Sequence, residues 1–173
     1  MPDRPIPEAY WVIENRFLAG EYPASPFKPE ISQQRLQAFL RAGFDTFFDL
    51  TAFGETEPYL PALADEARAL GRTVHYQRFP IGDYGLPSYE QMRAALDAID
   101  DSLAAGRKIY LHCYGGIGRT GTTVGCYLAR HGQNGQSALD ALAQHWQSVP
   151  KSARYPYSPE TSEQENFIRN WRE

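Results

Sequence analysis

A chain of 173 residues, 42% hydrophobic and 22% charged, has the make-up of an ordinary globular domain and is long enough to bury a core without disulfides or metals. Its formal net charge of −4 excludes a general electrostatic pull toward nucleic acid or an anionic membrane, and leaves any anion binding to a local pocket. With no apolar run of the roughly 20 residues a membrane span needs, no visible secretory leader and only Cys113 and Cys126 as cysteines, the expectation is a cytoplasmic setting without stable membrane association.

Met1 to Pro7 is Pro-rich and reads as an extended arm, about residues 1–9 at most. Trp11-Val12-Ile13 and Phe17-Leu18-Ala19 read as a small hairpin or two edge strands, and Gly20 to Pro29 as loop. Ile31, Leu36, Phe39 and Leu40 predict a helix to Arg41, stopped by Gly43. A strand over Phe44–Leu50, a polar loop over Thr51–Pro58 and a helix over Leu60–Leu70 follow, then a strand over Thr73–Phe79 that runs into Pro80. Ile81 to Pro87 is loop, and Ser88 with Glu90 and Gln91 opens a helix to about Ala105. Lys108–His112 is a short strand, Cys113–Gly118 a glycine-rich turn, and Arg119–His131 and Ser137–Trp146 are helices. Ser158 or Thr161 caps a last helix through Trp171. Alternating strands and helices predict an α/β fold with a central, mostly parallel sheet flanked by helices, and no repeat or boundary divides residues 1–173 into more than a single domain.

The chemistry concentrates in Lys108-Ile-Tyr-Leu-His-Cys-Tyr-Gly-Gly-Ile-Gly-Arg-Thr-Gly121. A strand delivers His112 and Cys113, and a helix begins where the loop ends. Glycines at 115, 116 and 118 let successive main-chain N–H groups turn inward around a tetrahedral anion, so Tyr114, Gly115, Gly116, Ile117 and Gly118 are the candidate phosphate-binding residues. The helix N-terminus adds free N–H groups and partial positive charge, and Arg119 can close the ring with a bidentate fork. The same field favours the Cys113 thiolate, the reactive form of the nucleophile. His112 is expected to support the loop through hydrogen bonds rather than act as base, and Thr120 to donate a hydrogen bond to the sulfur. Two alternatives stand beside this: a buried structural cysteine, and a nucleotide loop, although the Lys of GxxxxGK[ST] is missing.

His112-Cys113-Tyr-Gly-Gly-Ile-Gly-Arg119-Thr120-Gly121 resembles the HCxxGxxR[ST]G signature of protein tyrosine and dual-specificity phosphatases at every defining position. The chain length resembles the compact dual-specificity branch. The resemblance implies a phosphocysteine intermediate, no cofactor and no metal, and a general-acid Asp on a loop ahead of the signature, whose carboxylate can then deprotonate the water that hydrolyses the intermediate. Phe79-Pro-Ile-Gly-Asp83-Tyr-Gly-Leu-Pro87 looks like that loop; Asp83 is otherwise an ordinary turn residue. The segment around Gln164 is similar to one that carries a water-positioning Gln in some relatives; the alternative is an exposed helix residue. Cys126 is either a core thiol or a disulfide partner for the nucleophile.

The variable loop positions Tyr114, Gly115 and Ile117 are not basic, which favours a phosphorylated protein or peptide, phosphotyrosine first, over a phosphoinositide or inositol phosphate; Lys28, Arg78 or Arg154 would have to reach the rim for the latter. Phe53 or Tyr59, from the loop over residues 51–59, can supply an aromatic wall or pack on the core. A non-catalytic phosphate-binding module is a third reading, which the intact Cys113, Arg119 and Asp83 disfavour. The oligomeric state is not legible.

Overall fold

Period-two patterning in the short strands decides the architecture. Phe17 and Ala19 of one strand, Ile109 and Leu111 of another and Phe48 of a third contribute to one buried cluster, whereas Leu18, Tyr110 and Phe47 between them belong to a second. A sheet apolar on both faces must be covered on both, and the computed structural model, which describes residues 3–25 and 27–173, has that arrangement.

The strands are β1 (Ala9–Ile13), β2 (Phe17–Gly20), β3 (Thr46–Asp49), β4 (His75–Arg78) and β5 (Ile109–His112), in spatial order β1-β2-β5-β3-β4. β1 pairs antiparallel with β2; every other pairing is parallel. Helices α1 (Pro29–Arg41) and α2 (Leu60–Ala69) contribute Leu36, Phe39, Leu40 and Leu63 to the second cluster. Helices α3 (Tyr89–Ala104), α4 (Gly118–Arg130), α5 (Gly135–Gln147) and α6 (Ser162–Arg169) contribute Leu96, Ile99, Val124, Leu142, Trp146 and Ile168 to the first. Each such large apolar side chain stabilises the fold by about 1.5–3 kcal/mol relative to exposure.

Local signals set the helix ends. Ser88 and Thr161 form capping boxes with Gln91 and Gln164, which start α3 and α6. α1 begins at Pro29, two residues before the expected Ile31, because Pro is preorganised for the first helical turn. α5 begins at Gly135 rather than Ser137, because Asn134 caps it: its side chain accepts the Ser137 N–H at 2.9 Å. A 3-10 turn, Pro150–Ala153, was not anticipated.

The N-terminal arm lies against the domain. Met1 and Pro2, like Pro26 of the predicted loop, lie outside the described residues. The rest of the arm is docked: Ile6 is buried in the second cluster, and Arg4 Nη1 donates to the Ala9 carbonyl at 2.6 Å. Proline removes main-chain donors, but an adjacent isoleucine still gains by leaving water.

The register brings the strand ends together. His112 is the Cα partner of both Gly20 and Asp49, so β2, β5 and β3 end at one level. The loops beyond them meet outside the carboxyl ends of parallel strands, where α/β sheets bind ligands.

Candidate active site

Cys113 leaves the end of β5 buried, at 2% exposure, with the Gly116 N–H donating to its Sγ at 3.3 Å. α4 starts five residues later at Gly118, so its free N–H groups and its positive dipole end face the same loop. Gly116 has φ +76°, and a Cβ there would lie 2.5 Å from the carbonyl carbon of Gly20. No other residue fits that conformation and approach without strain. The loop is fastened from outside as well: the Tyr22 N–H donates to the Tyr114 carbonyl at 3.0 Å and Lys151 Nζ to the Gly115 carbonyl at 3.0 Å.

The Thr120 hydroxyl, expected at the sulfur, instead donates to the Gly20 carbonyl at 3.3 Å. Thr120 is fully buried in the first turn of α4, and the end of β2 presents the acceptor.

Arg119, 3% exposed, makes four hydrogen bonds. Nη1 and Nη2 each donate to a different oxygen of Glu55 at 2.6 Å; Nη1 also donates to the Ile81 carbonyl at 3.0 Å and Nη2 to Asp83 Oδ1 at 3.1 Å. The hydrogen bonds from Arg119 hold the Glu55 carboxyl below the usual carboxylate range, against its partial burial. Sequence reading gave Glu55 no role. The available signal was an acidic residue in the short loop after a parallel strand.

His112 is fully buried between two partners. Nδ1 faces the Cys113 carbonyl at 3.1 Å, and Nε2 faces the Tyr59 hydroxyl at 2.8 Å. A carbonyl only accepts, so Nδ1 carries the proton and Nε2 accepts from Tyr59. Burial pushes the ring below the ordinary histidine range, against the pull of the Asp49 carboxylate. Asp49 lies behind it, wholly buried, accepting from Thr51, from the Tyr76 hydroxyl at 2.7 Å and from Arg78 Nη2 at 3.0 Å.

Asp83 sits on the loop between β4 and α3, its side chain 61% exposed and in reach of Arg119. Its Oδ1 also accepts the N–H of Tyr84, a residue at φ +56°. Gln164 is not the exposed helix residue that the alternative reading required; it is fully buried. Its Oε1 accepts the N–H groups of Glu160 at 3.1 Å and Thr161 at 3.3 Å, and its Nε2 donates to the carbonyl of Gly85, on the Asp83 loop, at 3.3 Å. A Cβ on Gly118 would lie 3.0 Å from both amide atoms of Gln164 and would overlap Glu160 Oε2, so both side chains press on the phosphate loop. Glu160 was missed in the sequence.

The remaining candidates separate. Tyr59 is a core residue, 4% exposed and bonded to His112, so it forms no aromatic wall. Phe53 is 79% exposed, with the Arg78 guanidinium over its ring at 5.2 Å. Arg78 is held by Asp49, and Arg154 stands over Tyr155; Lys28, with Arg35 and Lys151, lines a groove that also borders Tyr114 and Gly115. Cys126 is fully buried, and burial pushes its thiol far above the ordinary cysteine range. It lies eight residues into α4 from Gly118, a rise of about 12 Å. That is core placement, away from the nucleophile.

A cysteine and an arginine at the two ends of a glycine-rich turn, between the central strand of a parallel sheet and the helix after it, define the scaffold of the cysteine-based phosphatases. The chain belongs to the PTP-SAK family, the Swiss Army Knife protein, DSP-PTPase phosphatase domain, whose model matches residues 11–168. It is 30% identical over 126 residues to the protein named "Putative tyrosine phosphatase 067L" of Invertebrate iridescent virus 3, covering 70% of this chain and 46% of that protein. The chain thus spans less than half the length of this curated relative. Among solved structures, Tk-PTP in the active form superposes with a TM-score of 0.69 at 25% identity, covering 94% of each chain. PTPMT1 in complex with PI(5)P superposes with a TM-score of 0.67 at 15% identity, covering 94% of this chain and 92% of the other.

Proposed function

We propose that this chain hydrolyses phosphomonoesters in two steps through a phosphocysteine on Cys113. The observation that carries the proposal is the pairing of a buried sulfur that accepts a main-chain N–H with a buried guanidinium at the other end of the same loop. In the first step the Cys113 thiolate attacks phosphorus, the P–O bond breaks, and the Asp83 carboxyl gives its proton to the leaving oxygen. The main-chain N–H groups of the loop, led by that of Gly116, the dipole of α4 and Arg119 stabilise the charge on the transferring group, so the proposed route needs neither metal nor cofactor. In the second step water attacks phosphorus, its proton passes to a carboxylate beside the loop, and the P–S bond breaks with its electron pair returning to sulfur. His112 is a positioning residue in this scheme, fixing the Cys113 carbonyl. Thr120 fixes the loop against β2 rather than assisting the sulfur directly.

Phosphorylated protein or peptide is the proposed substrate, phosphotyrosine first. Tyr114, Phe53 and Tyr84 are exposed aromatic residues on the three loops that carry Cys113, Glu55 and Asp83, a setting suited to an aryl phosphate. The groove holding Lys28, Arg35 and Lys151 supports a second reading, an inositol phosphate or phosphoinositide with a further phosphate beside Tyr114. Against it, Arg35 and Lys151 are already paired with Glu21. Among the described residues no helix is long and apolar enough to cross a membrane, and a cytoplasmic, reducing site of action is part of the proposal, because a thiolate nucleophile must stay reduced.

The test is turnover of phosphopeptides, inositol phosphates and phosphoinositide vesicles by the parent chain and Cys113→Ser. Turnover by the parent with none by the variant, which still binds inorganic phosphate, is the expected result. Activity in Cys113→Ser refutes the nucleophile, and binding without turnover in the parent makes the chain a phosphate-binding module.

A further inference from the structure

We propose that Glu160 is a second proton-transfer residue of this site, serving as the base that activates water against the phosphocysteine. This rests on the two-step reading above and extends it to a residue that reading does not use.

The segment carrying Glu160 is fixed to the phosphate loop. Ser158 Oγ donates to the Ile117 carbonyl at 2.8 Å, and a Cβ on Gly121 would overlap that same oxygen. Two residues on, Glu160 Oε2 occupies the space a side chain at Gly118 would take, beside the amide of Gln164. Gly118 directly precedes Arg119, so this carboxyl group borders the ring of N–H groups that receives the phosphoryl oxygens. Its main chain is held as well, because Gln164 Oε1 accepts the Glu160 N–H in the capping box of α6.

The electrostatics agree with membership of the site. Burial pushes the Glu160 carboxyl up, and the charge of Asp83 adds to the rise; Arg119, the Gly118 N–H and Lys151 pull the other way. A carboxylate of raised basicity takes a proton from water more readily than an ordinary one. The arrival of a phosphoryl group raises that basicity further, by like charge.

The two carboxylates have different anchoring. Asp83 lies on an exposed loop, suited to following a leaving group that departs. Glu160 is braced by a helix cap against the loop that stays loaded. In the second step the water oxygen bonds to phosphorus, the water proton passes to the Glu160 carboxylate, and the P–S electron pair returns to Cys113 as thiolate. The proton then leaves Glu160 to solvent with product release.

The test uses the full chain with p-nitrophenyl phosphate, whose leaving group needs little acid assistance. Parent, Glu160→Gln and Glu160→Asp are compared in rapid-quench and steady-state experiments across pH. For Glu160→Gln the expected results are a first-turnover rate within about two-fold of parent, a steady-state kcat lower by about 10²-fold, trapped phosphocysteine at steady state, and loss of the acidic limb of the kcat–pH profile. Glu160→Asp should recover part of the rate and restore that limb. Equal losses in both steps, or an unchanged kcat and pH profile, would overturn the assignment. Turnover by Cys113→Ser is the separate signature of failure in the two-step reading, and it would remove this inference too.

Discussion

Arg119 and Glu55 meet through two parallel N–H···O hydrogen bonds, each 2.6 Å long, that use one proton of each terminal guanidinium nitrogen. The Ile81 carbonyl and Asp83 take the other two, so among the described residues only the Nε proton is without a protein acceptor. Glu55 therefore sets the plane of the fork, and an incoming phosphoryl group must replace weaker partners. Glu55→Gln preserves shape but removes the charge-assisted pairing. The expected outcome is a loss in kcat/KM of about 10-fold to 10²-fold, or ~1.4–2.7 kcal/mol, measured with aryl phosphates. Parent-like kinetics would show that Arg119 needs no such orientation.

Asp83 accepts a hydrogen bond from Arg119 Nη2, so it would compete with phosphate for that guanidinium before serving as the proposed acid. Asp83→Asn removes that competitor's charge, so inorganic phosphate or vanadate should bind several-fold tighter by titration calorimetry. The same variant should slow alkyl and unactivated aryl phosphates by about 10²-fold or more, and p-nitrophenyl phosphate much less. A uniform loss across leaving groups would exclude Asp83 as the proton donor.

Gly116 combines a positive φ with contact against the backbone at Gly20. Gly116→Ala adds a left-handed conformational cost of about 1–2 kcal/mol and a clash that neither backbone relieves cheaply. Urea unfolding should show a loss at least that large, with weakened phosphate binding. A variant of parental stability and affinity would mean that the loop is not pressed on β2.

His112 ties stability to pH. Its folded pKa is depressed below the ordinary 6.5, so the unfolded chain binds the proton more readily. The associated stability is fully present above about pH 6.5 and declines as pH falls from there toward the depressed value. The melting temperature should therefore drop on acidification from pH 7 to 5, and His112→Asn should flatten the slope over that range. An equal slope in the variant would assign the effect elsewhere.

The elements and their order were legible because each carries its own signal. Alternating apolar residues in 17–19 and 109–111 mark two-faced strands, and Ser88 with Gln91 marks a helix start. The Cys113–Arg119 loop was legible because its chemistry lies within seven consecutive residues. Glu55 was not, since its partner is 64 positions away and only the parallel pairing of β3 with β5 brings them together. Lys151 and Glu160 were missed for the same reason, and Tyr59 takes the core packing that the sequence had left open beside a pocket wall. For Thr120 the sequence suggested the sulfur as acceptor, whereas the hydroxyl donates to the Gly20 carbonyl, which the pairing of β2 with β5 places beside the loop.

The end of the edge hairpin acts as a fixed wall for the catalytic loop. Gly20 receives the Thr120 hydroxyl and abuts Gly116, and Tyr22 donates to Tyr114. Shortening the chain from its front therefore does more than tidy a loose end. A minimal version cut after residue 22 would keep every reacting group and still lose the mould that shapes the anion pocket, whereas a graft of this pocket onto another sheet must carry β2 with it.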